Sequence, residues 1–399
     1  MLVSFFLIFT LNHVKEINSF SSKHLGLKVL TNINNKNIQP TVKRLNDKFT
    51  NNLQSTIRHV RSGGQEQEQG TIENPQLKEN GIDSGIIRRK LKILLPALAI
   101  SLALTQKPLS AMAVTSNSIL SSLKQTESVL PLVFLTCTLP PTILGFYKNE
   151  YIVSYGYGLA IFFTALVNLI TIKKAPILST VQLCHTLALM FYGIRLSLFL
   201  LYREISIPRF REFTENIESR APPNKLKRLP FMLSCSVLYM CMSAPLFSGT
   251  VATTSNTMTL ILQGLVGLTC GGFLLNAVGD FTKSYIKYKT KNQDELVTTG
   301  IFKYVRHPNY TGEQIAWTSN FLVSIATTVA ACNNIGGTWL CTLKKVLTSK
   351  IVWASFFGWL GIEFVLMSAT KALETRQKKA YGETEEYKAW IEKSWGGFY

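Results

Sequence analysis

Residues 296–317, LVTTGIFKYVRHPNYTGEQIAW, join a basic loop to a long apolar segment. Proline disfavours helix at the residue before it, so we expect His307 to be extended and the preceding helix to have ended. Thr311 and Gln314 have the spacing of a capping box, which predicts a new helix with Glu313 in its first turn. Guanidinium, imidazole, amide, phenol and carboxylate groups would then meet at one helix entrance, which suits a phosphate or carboxylate ligand.

Long apolar segments recur through most of the chain. Seven of them approach the roughly 20 residues that a helix needs to cross a bilayer. They cover residues 128–147, 151–172, 179–202, 229–249, 258–279, 312–332 and 350–370. The 399 residues are 47% hydrophobic and only 16% charged, which is unusual for a soluble enzyme of this length. The sequence therefore predicts an all-α, multi-pass transmembrane helical bundle over residues 128–399.

The net charge of +19 is concentrated between the apolar segments. Residues 203–228 and 280–311 are rich in Lys and Arg, whereas residues 250–257 carry no charge. The positive-inside rule then places both basic loops and the C-terminal tail on one face, cytoplasmic or its organellar equivalent. Contact with anionic lipid accounts for these loops, so we expect no nucleic-acid partner.

The first 127 residues stand apart from the predicted bundle. Residues 1–90 begin with a short apolar stretch, continue with a basic stretch that has few acidic residues, and end with a polar segment around 62–85. This composition predicts a targeting presequence followed by a disordered linker. This order resembles the bipartite presequences of algae with complex plastids and suggests a plastid membrane, with the endoplasmic reticulum as the alternative. An uncleaved disordered extension is a further reading. Residues 91–127 contain a short apolar run that is either an anchor or a cleaved signal.

All seven cysteines lie in or beside apolar segments, and none forms a C-x-x-C pair. This distribution indicates packing residues, with neither a zinc site nor a disulfide framework. Cys332 and Cys341 flank one short loop and could pair in an oxidising compartment.

The string GIFKYVRHPNYTGE at 300–313 resembles the C-terminal motif of the DUF1295 and steroid 5-alpha-reductase-like membrane proteins. The isoprenylcysteine carboxyl methyltransferases share a looser form, R-H-P-x-Y-x-G. The resemblance extends to an R-L-S-x-x-L-x-x-R pattern beginning at Arg195, which lies inside an apolar span, and to Asp280-x-x-Lys283. In the tail, Glu374 and Tyr381 match the family loosely, and Trp390 replaces a tyrosine. The resemblance covers about 128–393.

The resemblance implies a membrane oxidoreductase that transfers hydride from NADPH to a double bond of a sterol-like or isoprenoid-like lipid in the bilayer. Tyr310 and Glu313 are then the candidate catalytic residues. The candidate cofactor-binding residues are Arg195, Asp280, Lys283, Arg306, His307, Asn309 and Tyr381. The alternatives are a methyltransferase that uses S-adenosylmethionine and a non-catalytic lipid-binding protein. The oligomeric state is not indicated. Glu363 interrupts the last span.

Overall fold

The computed structural model describes residues 129–172, 179–248, 256–334 and 336–398. The expectations for residues 1–90 and 91–127 lie outside these described residues. In chain order the helices are α1 (Val129–Phe146), α2 (Tyr155–Ile172), α3 (Thr180–Ser206), α4 (Pro208–Arg220), α5 (Leu229–Ser243), α6 (Asn256–Thr290), α7 (Pro308–Asn334), α8 (Trp339–Thr348), α9 (Lys350–Tyr381) and α10 (Glu385–Lys393).

The all-α multi-pass architecture is confirmed. Within the described residues, seven helical segments are long and apolar enough to cross a membrane. They correspond one to one to the seven predicted spans. Two helices run well past their predicted ends, because apolar composition marks only the part inside the bilayer. Helix α6 continues to Thr290 and α9 to Tyr381, both through polar, lysine-containing turns.

The start of α7 corrects one local prediction. His307 lies outside the helix as expected, but α7 begins at Pro308 and not at Thr311. Proline is well suited to a first helical position, because its missing N–H would have no helical partner there. Thr311 therefore lies inside the helix and donates its backbone N–H to the His307 carbonyl, so the predicted capping box is wrong. Glu313 lies in the second turn and not the first.

Close backbone contacts between glycines set the packing of the site helices. A Cβ atom added to Gly312 on α7 would lie 2.5 Å from the backbone nitrogen of Asn276 and 2.5 Å from the Gly272 carbonyl oxygen, both on α6. A Cβ atom on Gly193 of α3 would lie 2.5 Å from the Gly158 carbonyl oxygen of α2. Small residues let membrane helices approach this closely. Residues next to these glycines consequently face one another across the interfaces.

The basic loops and the tail meet at one end of the bundle, as predicted. Asp294, in the loop after α6, pairs with Arg209 at the start of α4 and accepts a hydrogen bond at its carbonyl oxygen from Tyr381. On the same end, Arg228 holds Glu218 of α4 at 2.7 Å. We call this end the basic end.

Candidate functional site

Glu313 lies in a buried polar network between α2, α3, α6 and α7. Its Oε1 accepts a hydrogen bond from the Asn276 amide at 3.0 Å, and its Oε2 lies 3.5 Å from the Tyr157 hydroxyl. The Tyr192 hydroxyl donates to that of Tyr157 at 2.8 Å. Because Asn276 also donates to the Asn309 carbonyl at 3.0 Å, it ties the carboxyl to the start of α7.

Aromatic rings close off the apolar side of this network. Tyr192 stacks on Phe273 with ring centroids 4.3 Å apart, and Trp317 meets both rings edge-on. Tyr157 stacks on Tyr239 at 5.2 Å. All of these side chains are buried. Water is therefore excluded from this side of Glu313.

An ion pair next to this network joins three helices. The Arg195 guanidinium on α3 donates to Asp280 on α6 at 2.6 Å, and Asn309 on α7 donates to the other oxygen of Asp280 at 3.3 Å. Arg195 also lies against the Tyr192 ring, 5.6 Å from its centroid. Its Nε and Nη2 atoms are buried without a hydrogen-bond partner among the described residues. Such orphaned guanidinium donors suit an anionic ligand.

Further cations lie between this ion pair and the basic end. The charges of Arg203 and Arg376 act on Lys283, as does that of Asp280. The Lys283 ammonium forms neither a hydrogen bond nor an ion pair within the described residues. The Arg203 guanidinium lies over the Phe210 ring, 4.4 Å from its centroid. The charge of Glu313 acts on the Tyr310 hydroxyl, as do those of Asp280, Arg203 and Arg376.

Arg306 and His307 share one carboxylate. Glu374 Oε1, on α9, lies 3.0 Å from Arg306 Nε and 2.8 Å from His307 Nε2. The Arg306 Nη1 also faces the Ile391 carbonyl at 3.5 Å. Burial lowers the pKa of His307, and Glu374 opposes part of that effect. The pair therefore already has a protein carboxylate as its partner.

The C-terminal segment covers the loop that carries this pair. The Trp395 backbone bonds to Tyr304 and Arg306 at 2.9 Å each, in one isolated parallel bridge. The Trp390 indole donates to the Phe302 carbonyl at 2.7 Å, and Gln314 donates to the Phe398 carbonyl at 2.8 Å. The tail thus fixes the loop before α7.

The structure brings most of the predicted site residues together. Arg195, Asp280, Asn309 and Glu313 form one hydrogen-bonded group, with Asn276 linking the last two. Tyr310 and Lys283 lie within range of its charges. Arg306 and His307 lie together on Glu374, and the charge of Lys283 acts on His307. Tyr381 is the exception: it bonds Asp294 at the surface of the basic end.

Sequence reasoning did not assign six residues of this arrangement to the site: Tyr157, Tyr192, Asn276, Arg203, Glu374 and Arg376. Asn276 shares the helical face of Asp280 and Lys283, and Arg203 closes the motif that begins at Arg195, so both had a signal. Tyr157 had none, because it is one tyrosine in a long apolar run.

One protein-family model matches the part of the chain that carries this site. The family model named DUF1295, described as a protein of unknown function, matches residues 145–394. The chain belongs to the DUF1295 family. The match spans α2 to α10 and includes every residue of the cluster described above. Neither the curated proteins nor the solved structures contain a match to this DUF1295 protein.

Proposed function

We propose that this DUF1295 protein is a membrane oxidoreductase that transfers hydride from NADPH to a carbon–carbon double bond of a lipid. The observation that carries the proposal is the juxtaposition of two features. Unpartnered donors of Arg195 lie beside a buried carboxyl, Glu313, and the unpartnered Lys283 ammonium lies one turn along α6 from Asp280, the partner of Arg195. The cationic donors suit the phosphates of a dinucleotide, and the buried environment of Glu313 suits a reaction from which water must be excluded.

The donor set fits an anionic cofactor. Five cations, Arg195, Arg203, Lys283, Arg306 and Arg376, outnumber the three carboxyl groups among them, Asp280, Glu313 and Glu374. NADPH carries several phosphate charges, whereas S-adenosylmethionine carries a sulfonium and an ammonium against a single carboxylate. An excess of cations therefore favours NADPH and repels the methyl donor.

We assign phosphate contacts to the donors that the protein leaves free. These are Arg195 Nε and Nη2 and the Lys283 ammonium, with Arg203 and Arg376 towards the basic end. Asp280 fixes the Arg195 guanidinium, and Asn309 in turn fixes Asp280. Arg306 and His307 lie against Glu374, so we expect them mainly to shape the loop before α7.

NADPH would supply a hydride to one carbon of the double bond, and the neighbouring carbon then needs a proton. We assign this proton to the Tyr310 hydroxyl, which forms no hydrogen bond with the described residues and is therefore free to donate to a bound lipid. Glu313 accepts one hydrogen bond from the Asn276 amide and lies next to the Tyr157 hydroxyl, so we assign it a structural role in the wall of the site.

Heat unfolding of the detergent-purified protein tests the choice of cofactor. We expect NADPH, at about 100 times its dissociation constant, to stabilise the protein by ~2.7 kcal/mol and so to raise its unfolding temperature by several degrees. S-adenosylmethionine should not. Lys283→Met should weaken the NADPH effect, and Lys345→Met, on α8 at the other end, should not. Stabilisation by S-adenosylmethionine alone would replace the proposal with the methyltransferase, and stabilisation by neither would favour a lipid-binding protein.

A further inference from the structure

A second carboxyl lies within the membrane, away from the cluster described above. Glu363 is on α9, roughly 20 Å along the helix from Lys350 and about 12 Å from Lys371, which bound its apolar part. Its side chain is half-buried. An ionisable group at such a depth is costly and tends to mark a functional site.

Polar side chains form a ladder along the seam between α7 and α9. The Trp359 indole donates to the Thr318 hydroxyl at 2.9 Å, and that hydroxyl donates to Glu363 Oε1 at 3.2 Å. The Gln314 side chain, one turn closer to the basic end, also lies near the Glu363 carboxyl, and its amide donates to the Phe398 carbonyl. A carboxylate can accept about four hydrogen bonds, so these two neighbours leave it capacity for another donor.

An aromatic shelf adjoins the ladder on the side away from the basic end. Phe321 of α7 stacks on Trp359 of α9, with ring centroids 5.3 Å apart, and contacts Phe356 at 5.9 Å. The three rings are half-buried, and the next residues on α9, Leu360 and Phe364, are 49% and 72% exposed. In a bilayer these exposed side chains face lipid, so a lipid molecule can reach the three aromatic rings from the side, within the hydrocarbon layer.

We propose that this seam binds a lipid alcohol. Its hydroxyl donates to Glu363, and its apolar body lies on Phe321, Phe356 and Trp359. A polar end at mid-membrane depth next to a flat aromatic surface matches a molecule with one hydroxyl and a large hydrocarbon part. The inference rests on the membrane-spanning fold and not on hydride transfer, so it can be tested without turnover.

Helix–helix attachment alone is the competing explanation, because hydrogen bonds between side chains also hold membrane helices together. The two explanations differ in one respect. If Glu363 only attaches α9 to α7, lipid alcohols leave its reactivity unchanged. If Glu363 binds lipid alcohols, they shield its carboxyl from chemical modification.

Carbodiimide modification of the full-length protein in phosphatidylcholine nanodiscs distinguishes these cases. Dicyclohexylcarbodiimide reacts with membrane carboxyls, and peptide mass spectrometry quantifies adducts on Glu363. We expect geranylgeraniol or cholesterol to reduce this modification at least severalfold, and the corresponding methyl ethers to have little effect. Glu218, held by Arg228 at the basic end, is the internal control whose modification should not respond.

A substitution at Glu363 tests the same site without chemical modification. Glu363→Gln keeps an acceptor for Thr318 but removes the charge, and it should lower retention of the alcohol on the purified protein by on the order of tenfold. Glu383→Gln, in the exposed turn after α9, should retain it fully. Equal modification of Glu363 with alcohol and with methyl ether, or equal retention by Glu363→Gln and wild type, would overturn the proposal.

Discussion

At the scale of the residue, neighbouring positions on α7 have separate roles. The Tyr310 hydroxyl forms no hydrogen bond with the described residues and lies within range of the charges of Glu313 and Arg203. The Glu313 carboxyl instead accepts a hydrogen bond from Asn276 at the α6 interface. The sequence placed both at one helix entrance, and the cluster confirms that they are close. It did not reveal that Glu374, distant in sequence, takes the partner position on Arg306 and His307. Contacts between helices far apart in the chain depend on packing that local patterns do not encode.

Tyr310→Phe tests the proton donor. We expect NADPH to stabilise this variant against heat as it does wild type, because the ring and the cations remain. Turnover should fall by about 10²–10⁴-fold, the usual contribution of a positioned proton donor. Tyr304→Phe, on a tyrosine that is 67% exposed, is the matched control and should have normal turnover. A Tyr310→Phe enzyme that turns over normally would exclude the hydroxyl as the donor.

Because the His307 imidazole is buried, we expect the free energy of unfolding to depend on pH. Burial lowers the His307 pKa in the folded protein, so the unfolded chain binds a proton more readily. This contribution to stability is therefore complete above the ordinary histidine pKa of about 6.5 and decreases as the pH falls below it. His307→Gln, which can still donate to Glu374, should show a shallower loss of unfolding temperature from pH 8 to pH 5. Parallel curves for variant and wild type would contradict the assignment.

At the scale of the element, glycine contacts bring the site helices together. Asn276 and Asp280 of α6 meet Asn309 and Glu313 of α7 because the backbones touch at Gly272 and Gly312. The apolar runs predicted both helices, but not which faces pack. The helical spacing of Asn276, Asp280 and Lys283 indicated that α6 continues past its apolar part, and the structure confirms it. The extension of α9 escaped prediction, because its polar end carries no hydrophobic signal.

Two alanine substitutions on α6 separate packing from helix propensity. A Cβ on Gly272 would lie 2.5 Å from the Gly312 carbonyl oxygen, whereas one on Gly264 would have nothing within 4 Å. Gly272→Ala should destabilise the protein by about 1–3 kcal/mol or more and weaken stabilisation by NADPH. Gly264→Ala should be neutral or slightly stabilising, because alanine is the better helix former. Equal unfolding temperatures for the two variants would show that the contact is not tight.

At the scale of the whole molecule, the alternation of charged and uncharged loops predicted which ends of the helices lie together. Contacts of Asp294 with Arg209 and Tyr381 confirm that the basic loops and the tail share one end. The charge pattern could predict this because basic residues at membrane boundaries follow the compartment and not the packing.

Labelling with a membrane-impermeant maleimide tests this topology in sealed vesicles. Cysteines placed at positions 215 and 295 should react from the same side. Cys341, which is exposed on α8, should react from the opposite side. Each is measured alone, in a background without the other cysteines. Labelling of positions 215 and 295 from opposite sides would refute the arrangement.

Transfer of deuterium tests the central claim most directly. The purified protein is incubated with a membrane lipid extract and NADPH that carries deuterium at C4 of the nicotinamide, and the lipids are analysed by mass spectrometry. Our account predicts a reduced lipid with one carbon-bound deuterium, formed by wild type and greatly diminished with Lys283→Met. The contradictory result is a lipid that gains a labelled methyl group from S-adenosylmethionine and no deuterium from NADPH.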